Sequence, residues 1–197
     1  MKRVDLASSN PHKLRELREL LPGWELAALD TTGMPEESGE TFYDNARAKA
    51  RFGRMVGELD VWMLGEDSGL EVDGIGGRPG IRSARFAGPG ASDEENVARL
   101  LEKLRGLEGD GRRARYVCEL VLFSPELEEF RGRGTLEGRI AGAPRGTGGF
   151  GYDPVFVPDE EERTVGELGD AWKAAHSHRA AAAGALRKAV GSAAEEE

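Results

Sequence analysis

Apolar residues recur along this chain in short runs and in helical stripes, and the two patterns alternate from the start. Short apolar runs bounded by turn residues predict strands at Arg3–Ala7 and Trp24–Leu29. Between them, leucines recur at helical spacing after Pro11, which predicts an amphipathic helix. The chain is therefore expected to open as strand, turn, helix and strand.

The remaining chain continues this alternation. Capping-box patterns place helix starts at Thr41, with Asp44 as its partner, and at Ser92, with a glutamate as its partner. The later apolar stretches predict strands at Val61–Leu64, Arg115–Phe123, Glu129–Gly138 and Val155–Val157, and a last helix from about Asp170 to Val190. The two long strands are expected to pair antiparallel. No repeat and no long linker is visible, so we expect a single domain over residues 1–197 with a frayed tail at about 191–197.

An acidic pair, Glu66 and Asp67, follows the strand predicted at Val61–Leu64 and begins a glycine-rich stretch that runs to Gly88. Side chains at the end of a buried strand face the crevice where open α/β sheets bind ligands. In extended backbone the two neighbours point to opposite faces, so one can reach a metal ion while the other orients it or a water molecule. The alternative is that the pair only forms part of a turn, because acidic residues followed by glycine are common in turns.

The start of the first predicted helix suits an anion. Asn10 is a good N-cap and Pro11 suits the first helical position, so the free N–H groups of the helix should point at the turn that begins with Ser8. Lys13, one turn further on, could reach the same anion. The alternative is an ordinary capped helix with its lysine in solvent.

The second predicted helix carries a polar row at four-residue spacing, formed by Thr41, Asn45 and Lys49. Small residues surround the row, which would let the helix pack close to whatever the row faces. The loop before this helix contains Glu36 and Glu37. A solvated lysine is the alternative interpretation.

Composition limits the class of function. The formal charge of −9, from 27 basic and 36 acidic residues, repels polyanions and argues against a nucleic-acid partner. Glycine makes up 28 of 197 residues and clusters in loops, where the backbone can approach a ligand closely. The one cysteine, Cys118, lies in an apolar run and is expected to be buried. No signal peptide and no apolar run of membrane-spanning length is visible, so we expect a soluble cytoplasmic protein without a membrane partner.

The later part of the chain adds an aromatic, glycine-rich loop and a basic cluster. Gly146–Asp153 places Phe150 and Tyr152 among glycines, where a ring can stack on a base or belong to the core of a hairpin. Lys173 and the Ser177–Arg179 run follow near the start of the last helix. With the carboxylates, these groups suit a nucleoside triphosphate bound with Mg²⁺, a cation that prefers oxygen ligands. Neither a P-loop nor a dinucleotide fingerprint is present, and no His/Cys cluster has zinc spacing.

Five stretches in a fixed order carry a resemblance to a known family. They are Ser8-Ser9-Asn10-Pro11-His12-Lys13; Glu37-Ser38-Gly39-Glu40-Thr41-Phe42 with Asn45-Ala46 and Lys49-Ala50; Glu66-Asp67-Ser68-Gly69-Leu70 through Gly77-Arg78-Pro79-Gly80 to Ser83-Ala84-Arg85-Phe86-Ala87-Gly88; Gly148-Gly149-Phe150-Gly151-Tyr152-Asp153-Pro154; and Ser177-His178-Arg179. In these stretches the chain resembles the inosine/xanthosine triphosphate pyrophosphatases, which remove non-canonical purine nucleoside triphosphates. The resemblance extends from about Lys2 to Val190.

The resemblance implies an elongated two-lobed α/β fold, in which helices flank a strongly twisted mixed central β-sheet and the active-site cleft lies between the lobes. It also implies a homodimer and Mg²⁺ as the cofactor. The implied substrates are the small-molecule nucleotides ITP, dITP and XTP, which are hydrolysed to the nucleoside monophosphate and pyrophosphate.

By position, the resemblance makes Asp67 the general base and a metal ligand. A further metal carboxylate comes from Glu36, Glu37 or Glu66, among which we prefer Glu37 although the sequence does not separate them. The triphosphate would be handled by Ser8, Ser9, Asn10, Pro11, His12, Lys13, Lys49 and Lys173, with Ser68 as a further substrate contact. The base and sugar would be held by Phe150, Gly151, Tyr152, Asp153, His178 and Arg179.

The chain departs from the family pattern at a few positions. Many bacterial members carry two aspartates where this chain has Glu66-Asp67, while Ser8 and Ser38 stand where threonine is common. His176 falls where an apolar residue is expected.

Two other hypotheses stay open. One is a nucleotide-binding regulator without catalysis, in which the acidic pair is only a turn. The other is the related group of septum-site nucleotide pyrophosphatases that act on pyrimidines and begin with a similar turn. The Ser177–Arg179 run and the Gly149–Pro154 loop favour the purine family.

Overall fold

The computed structural model of the chain describes residues 2–193 and contains one mixed β-sheet with helices packed against it. The strands are β1 (Lys2–Ala7), β2 (Trp24–Ala28), β3 (Trp62–Val72), β4 (Arg78–Pro79), β5 (Arg113–Phe123), β6 (Glu129–Ile140) and β7 (Phe156–Pro158). Their order in the sheet is β2-β1-β3-β5-β6-β7, with β4 paired to β3. Strand β1 is parallel to both β2 and β3, while the β3–β4 and β6–β7 pairs are antiparallel. The expected α/β fold with a mixed sheet is confirmed.

The described residues form six α-helices, and the first three begin at the polar residues that the sequence marks. The six helices are α1 (Pro11–Leu20), α2 (Phe42–Val56), α3 (Asp93–Lys103), α4 (Val165–Leu168), α5 (Asp170–His176) and α6 (His178–Ala193). Asn10 caps α1, and its side chain accepts hydrogen bonds from two backbone N–H groups of the first turn. The capping boxes predicted at Thr41 and Ser92 are both present. No helix within the described residues is long and apolar enough to cross a membrane.

Two compact units make up the chain. The first comprises the described part of 1–67, 118–134 and 178–197, and the second comprises 68–117 and 135–177. The prediction of a single domain over the whole chain stays a prediction, as do the two-lobed shape and the cleft.

The core of the first unit shows why β5 is apolar on both faces. Alternate side chains of a strand point to opposite faces. Cys118, Leu120 and Leu122 pack in one apolar cluster with residues of α1 and α6, whereas Val121 and Phe123 pack with alanines of α2. The first unit therefore has helices against both faces of its part of the sheet, and Cys118 is buried as expected.

The second unit has its own apolar cluster. It joins the later part of β3 to helix α3 and to the aromatic residues of β5 and β7, including Leu70, Leu100, Tyr116 and Phe156. Tyr116 and Phe156 pack with their ring centroids 4.5 Å apart. This cluster supports the loop that carries Phe150 and Tyr152.

Two predictions about elements were wrong. Strand β3 does not end at Leu64, so the acidic pair lies inside a strand and not at its end. The last helix is broken, because Ser177 has extended backbone angles of φ −68° and ψ 158° between α5 and α6. Of the frayed tail expected at about 191–197, residues 191–193 are helical, and 194–197 lie outside the described residues.

Candidate active site

Helix α2 lies directly on strand β3 at Gly65. A Cβ atom at Gly65 would stand 1.9 Å from the backbone oxygen of Ala46, so only glycine permits this approach. The close contact brings the polar row of α2 against the residues that follow Gly65. Asn45 and Lys49 are both buried there, which rules out the solvated lysine.

Asp67 is held by this row. Asn45 donates from Nδ2 to Oδ2 of Asp67 at 3.0 Å, and Lys49 Nζ lies 3.2 Å from Oδ1. The same Lys49 ammonium group lies 2.5 Å from Oε1 of Glu37. Burial raises the pKa of Asp67, and it outweighs the positive charge of Lys49. A carboxyl group with a raised pKa and two fixed neighbours has the properties of a general base.

Glu66 points away from this group, as expected for its neighbour in a strand. Its carboxylate is fully buried, 2.6 Å from Lys13 Nζ and 3.1 Å from Nη2 of Arg179. Burial raises the pKa of Glu66, but the positive charges of Lys13, Arg179 and Lys49 outweigh it and hold the pKa well below its ordinary value. Cys118 lies on the same side, with its Sγ 3.7 Å from Oε1 of Glu66. Glu66 is therefore ionised and fixed by two cations.

The turn before α1 has the predicted capping geometry. Oδ1 of Asn10 accepts hydrogen bonds from the backbone N–H groups of His12 and Lys13 at 2.9 and 3.4 Å, and Ser8 Oγ accepts from Asn10 N at 3.2 Å. The side chain of Lys13 reaches Glu66, so it is not the solvent lysine of the alternative interpretation. Ser9, Pro11 and His12 are exposed beside it.

Sequence reasoning missed Glu16 as a member of this group. Its Oε2 lies 2.5 Å from Nη1 of Arg179, a residue 163 positions later in the chain. Its spacing of three residues from Lys13 could have revealed it, because this spacing places Lys13 and Glu16 on one face of α1. Arg179 is fully buried between Glu16 and Glu66, and His178 beside it is buried as well.

A second group of predicted residues forms around Asp153 in the second unit. Lys173 Nζ lies 2.8 Å from Oδ2 of Asp153, and the same Lys173 ammonium group stands 4.5 Å from the centre of the Phe150 ring. Tyr116 donates its hydroxyl to Oδ1 of Asp153 at 3.1 Å, and the Phe150 backbone N–H donates to Oδ2 at 2.9 Å. The sequence did not single out Tyr116, which is near the start of the long strand β5.

Glycines give this loop its shape. A Cβ atom at Gly149, where φ is +74°, would stand 2.1 Å from Oδ2 of Asp153. Tyr152 is buried and donates its hydroxyl to the backbone oxygen of Ser83 at 2.8 Å. The ring of Tyr152 therefore belongs to the core, while Phe150 stays half-buried.

The described contacts of two residues, Lys173 and Arg179, differ from the grouping that was expected for them. Lys173 was grouped with the triphosphate residues, yet its described contacts are to Asp153 and Phe150. Arg179 was grouped with the base, yet its described contacts are to Glu16 and Glu66. Ser68 follows Asp67 in β3 and is half-buried. The roles given to these residues stay predictions.

The carboxylates of the first unit fit a bound Mg²⁺ ion. No three His, Cys, Asp or Glu side chains converge as a ready-made metal cluster within residues 2–193. Mg²⁺ usually needs fewer, since one or two carboxylates combine with waters and substrate phosphates. Glu37 and Asp67 already converge on one cation, the Lys49 ammonium group. Glu36 is exposed and Glu66 is bound between other cations, so Glu37 and Asp67 are the better pair.

His176, which had no explanation at the level of the sequence, has a local role. Its ring stacks on Trp172 with centroids 4.8 Å apart, and Nδ1 lies 3.0 Å from the backbone oxygen of the same residue. It therefore stabilises the last turn of α5 at the surface.

The chain is thus an α/β protein with two groups of buried polar residues. In the first unit, carboxylates and lysines surround Asp67, and in the second unit an aromatic, glycine-rich loop contains Asp153. A family model described as the Ham1 family matches residues 4–189. The chain belongs to the Ham1 family.

The chain is similar to named relatives and to solved structures over nearly its full length. The chain is 46% identical over 191 residues to a dITP/XTP pyrophosphatase of Thermus thermophilus, a match that covers 95% of this chain and 91% of the relative. It is 39% identical over 193 residues to the dITP/XTP pyrophosphatase of Bacillus subtilis, covering 95% and 96%. Among solved structures, a HAM1 protein from Coxiella burnetii superposes with a TM-score of 0.86 at 35% identity, covering 98% of this chain and all of that one.

Proposed function

We propose that this protein is a nucleoside triphosphate pyrophosphatase that hydrolyses the non-canonical purine nucleotides dITP, XTP and ITP to the nucleoside monophosphate and pyrophosphate, with Mg²⁺ as its cofactor. The observation that carries the proposal is the convergence of Glu37 and Asp67 on the buried ammonium group of Lys49. The names of full-length relatives as dITP/XTP pyrophosphatases support it.

Asp67 and Glu37 are the residues that would hold Mg²⁺. The bound ion would neutralise the charge of the triphosphate and of the departing pyrophosphate. Lys49 already occupies a position between the two carboxylates, so these side chains suit a cationic partner without rearrangement of the backbone.

Asp67 orients and deprotonates the attacking water. The water oxygen forms a bond to the α-phosphorus, and the bond from that phosphorus to the oxygen bridging the α- and β-phosphates breaks. The water proton passes to Asp67, and the electron pair of the broken bond leaves with pyrophosphate. The hydrogen bond from Asn45 and the contact with Lys49 fix the Asp67 carboxylate in one orientation for this step.

The first turn of α1 and two lysines bind the phosphates. A helix N-terminus offers free N–H donors and partial positive charge to an anion, and Asn10 fixes the start of this helix. Lys13 and Lys49 bring positive charge to the same group of residues. Glu66 holds Lys13 in place, because its carboxylate is ionised and buried.

Phe150 and Lys173 bind the base. The half-buried ring of Phe150 offers a stacking surface, and Lys173 stands beside it as a hydrogen-bond donor. Hypoxanthine and xanthine present a 6-oxo acceptor where adenine presents an amino donor. A donor from Lys173 would leave adenine mispaired, which can cost a factor of about 10⁴ in kcat/KM.

The experiment that tests this proposal is an assay of pyrophosphate release from dITP, XTP, ITP and ATP, with Mg²⁺ and with a chelator. We expect Mg²⁺-dependent release from the three non-canonical nucleotides and little from ATP. Equal turnover of ATP and ITP would contradict the base site. Tight ITP binding without any release would instead favour the regulator hypothesis. A pyrimidine triphosphate as the preferred substrate would favour the septum-site group.

A further inference from the structure

The loop that carries Phe150 is anchored to helix α3 by one side chain. Oδ2 of Asp93 accepts a hydrogen bond from the backbone N–H of Gly151 at 2.6 Å, although the two residues are 58 positions apart. Asp93 is exposed and is the first residue of α3. The contact therefore joins the start of a helix to the residue directly after Phe150.

The loop needs such an anchor because of its composition. Gly146, Gly149 and Gly151 all have positive φ angles, so backbone freedom in the unconstrained loop is high. Within the loop, the Phe150 N–H is held by Asp153. From outside it, the side chain of Asp93 holds Gly151, the backbone oxygen of Ser83 holds the Tyr152 hydroxyl, and Lys173 lies against the Phe150 ring.

The start of α3 does not itself require Asp93. Ser92 is the N-cap residue, and its capping box with Glu95 satisfies the first turn. A carboxylate at this position would also interact favourably with the helix dipole, but Glu94 and Glu95 already supply that charge. The hydrogen bond to Gly151 is thus a contact that helix stability alone does not explain.

We propose that Asp93 is a positioning residue for the purine site, which it sets by fixing the backbone of the Phe150 loop from the N-terminus of α3. The inference rests on the proposed function, since it takes Phe150 as the surface on which the base stacks. Asp93 acts through Gly151 and does not touch the substrate. Its removal weakens substrate binding and leaves the hydrolytic step at Asp67 intact.

The test compares three variants of the full chain. In Asp93→Ala the acceptor is lost, in Asp93→Asn a neutral acceptor oxygen is kept, and in Glu94→Ala one negative charge is removed from the same helix turn without touching the loop. We expect the KM for dITP to rise about tenfold in Asp93→Ala, as for loss of one hydrogen bond to a charged group, with kcat within about threefold of wild type. Asp93→Asn should recover most of the KM, and Glu94→Ala should match wild type.

Hydrogen exchange supplies a second measurement that does not depend on activity. The amide of Gly151 should exchange at least about tenfold faster in Asp93→Ala than in wild type or Glu94→Ala, because its acceptor is gone. The thermal midpoints of the two alanine variants should be alike.

Outcomes against the inference differ from outcomes against the proposed function. An active wild type with an unchanged KM in Asp93→Ala, or unchanged exchange at Gly151, overturns the positioning role alone. A fall in kcat with constant KM also overturns it. A wild type that releases no pyrophosphate from dITP overturns the proposed function and the purine role of Asp93 with it.

Discussion

Two buried carboxylate–lysine groups within residues 2–193 differ in their net charge and in the side chains that surround them. In the first unit, the contacts described above join four carboxylates to three cations, namely Glu16, Glu37, Glu66 and Asp67 to Lys13, Lys49 and Arg179. In the second unit, one lysine meets one carboxylate beside aromatic rings. A group with more carboxylates than cationic side chains suits a metal ion that is bound together with phosphates. A single carboxylate–lysine pair beside aromatic rings suits an uncharged base. In the proposed function, the same pair of residue types would serve the chemistry in one group and recognition of the base in the other.

Replacement of Asp67 should have the largest effect, because Asp67 is the proposed general base. We expect Asp67→Asn to lower kcat by about 10³-fold, within the range for loss of a general base, while the Kd for dITP changes little. Steady-state kinetics and equilibrium binding measure the two quantities. Asp5→Asn, at a partly buried carboxylate in β1, is the matched control. A turnover near wild type in Asp67→Asn would remove Asp67 from the mechanism.

Replacement of Lys49 tests the contribution of its positive charge while Asp67 is kept. Lys49→Met leaves Glu37 and Asp67 without their shared cation, so we expect a loss of about 3 kcal/mol in the free energy of unfolding. Activity should fall by about 100-fold, as for loss of one electrostatic contact to the transferring group. Millimolar Mg²⁺ should raise the thermal midpoint of this variant more than that of wild type.

Lys188→Met, at an exposed lysine of α6, serves as the control for Lys49→Met. If Mg²⁺ shifts the midpoints of Lys49→Met and wild type equally, the two carboxylates do not form the metal site.

Replacement of Lys173 tests whether the second group acts in recognition. We expect Lys173→Met to raise the KM for dITP by about tenfold, because the base loses one donor beside Phe150. The kcat should stay within about threefold of wild type. A large loss of kcat with constant KM would instead return Lys173 to the triphosphate, where its position in the family pattern had placed it.

The smallest effect is expected at Tyr152, which supports the loop from the core. Tyr152→Phe removes the hydrogen bond to the Ser83 backbone oxygen and should lower the free energy of unfolding by about 1 kcal/mol in urea titrations. The kinetic constants for dITP should match those of wild type. A rise in KM as large as that expected for Asp93→Ala would show that Tyr152 also positions the loop.

Local rules predicted the helix starts well and the long-range partners poorly. Asn10, Thr41 and Ser92 cap helices as expected, because capping depends on residues only a few positions apart. The strand through Glu66 and Asp67 was missed because glycine, glutamate and aspartate have low strand propensity. There helix α2 packs directly on Gly65, a long-range contact that spacing in the sequence does not reveal.

In the candidate site as well, geometry within one element was predictable and contacts between distant residues were not. The opposite directions of Glu66 and Asp67 follow from strand geometry alone, and the structure has them. The pairing of Arg179 with Glu16 joins residues 163 positions apart, so no periodicity predicts it. For the same reason, the contacts of Lys173 with Asp153 and Phe150 emerged only from the fold.

In the proposed reaction, this chain directs water to the α-phosphorus of a non-canonical purine triphosphate. Hydrolysis of dITP in ¹⁸O-labelled water, with the products separated and their masses measured, tests it most directly. We predict the products dIMP and pyrophosphate, with the label in dIMP. Label in pyrophosphate, or the products dIDP and orthophosphate, would contradict attack at the α-phosphorus and the role assigned to Asp67.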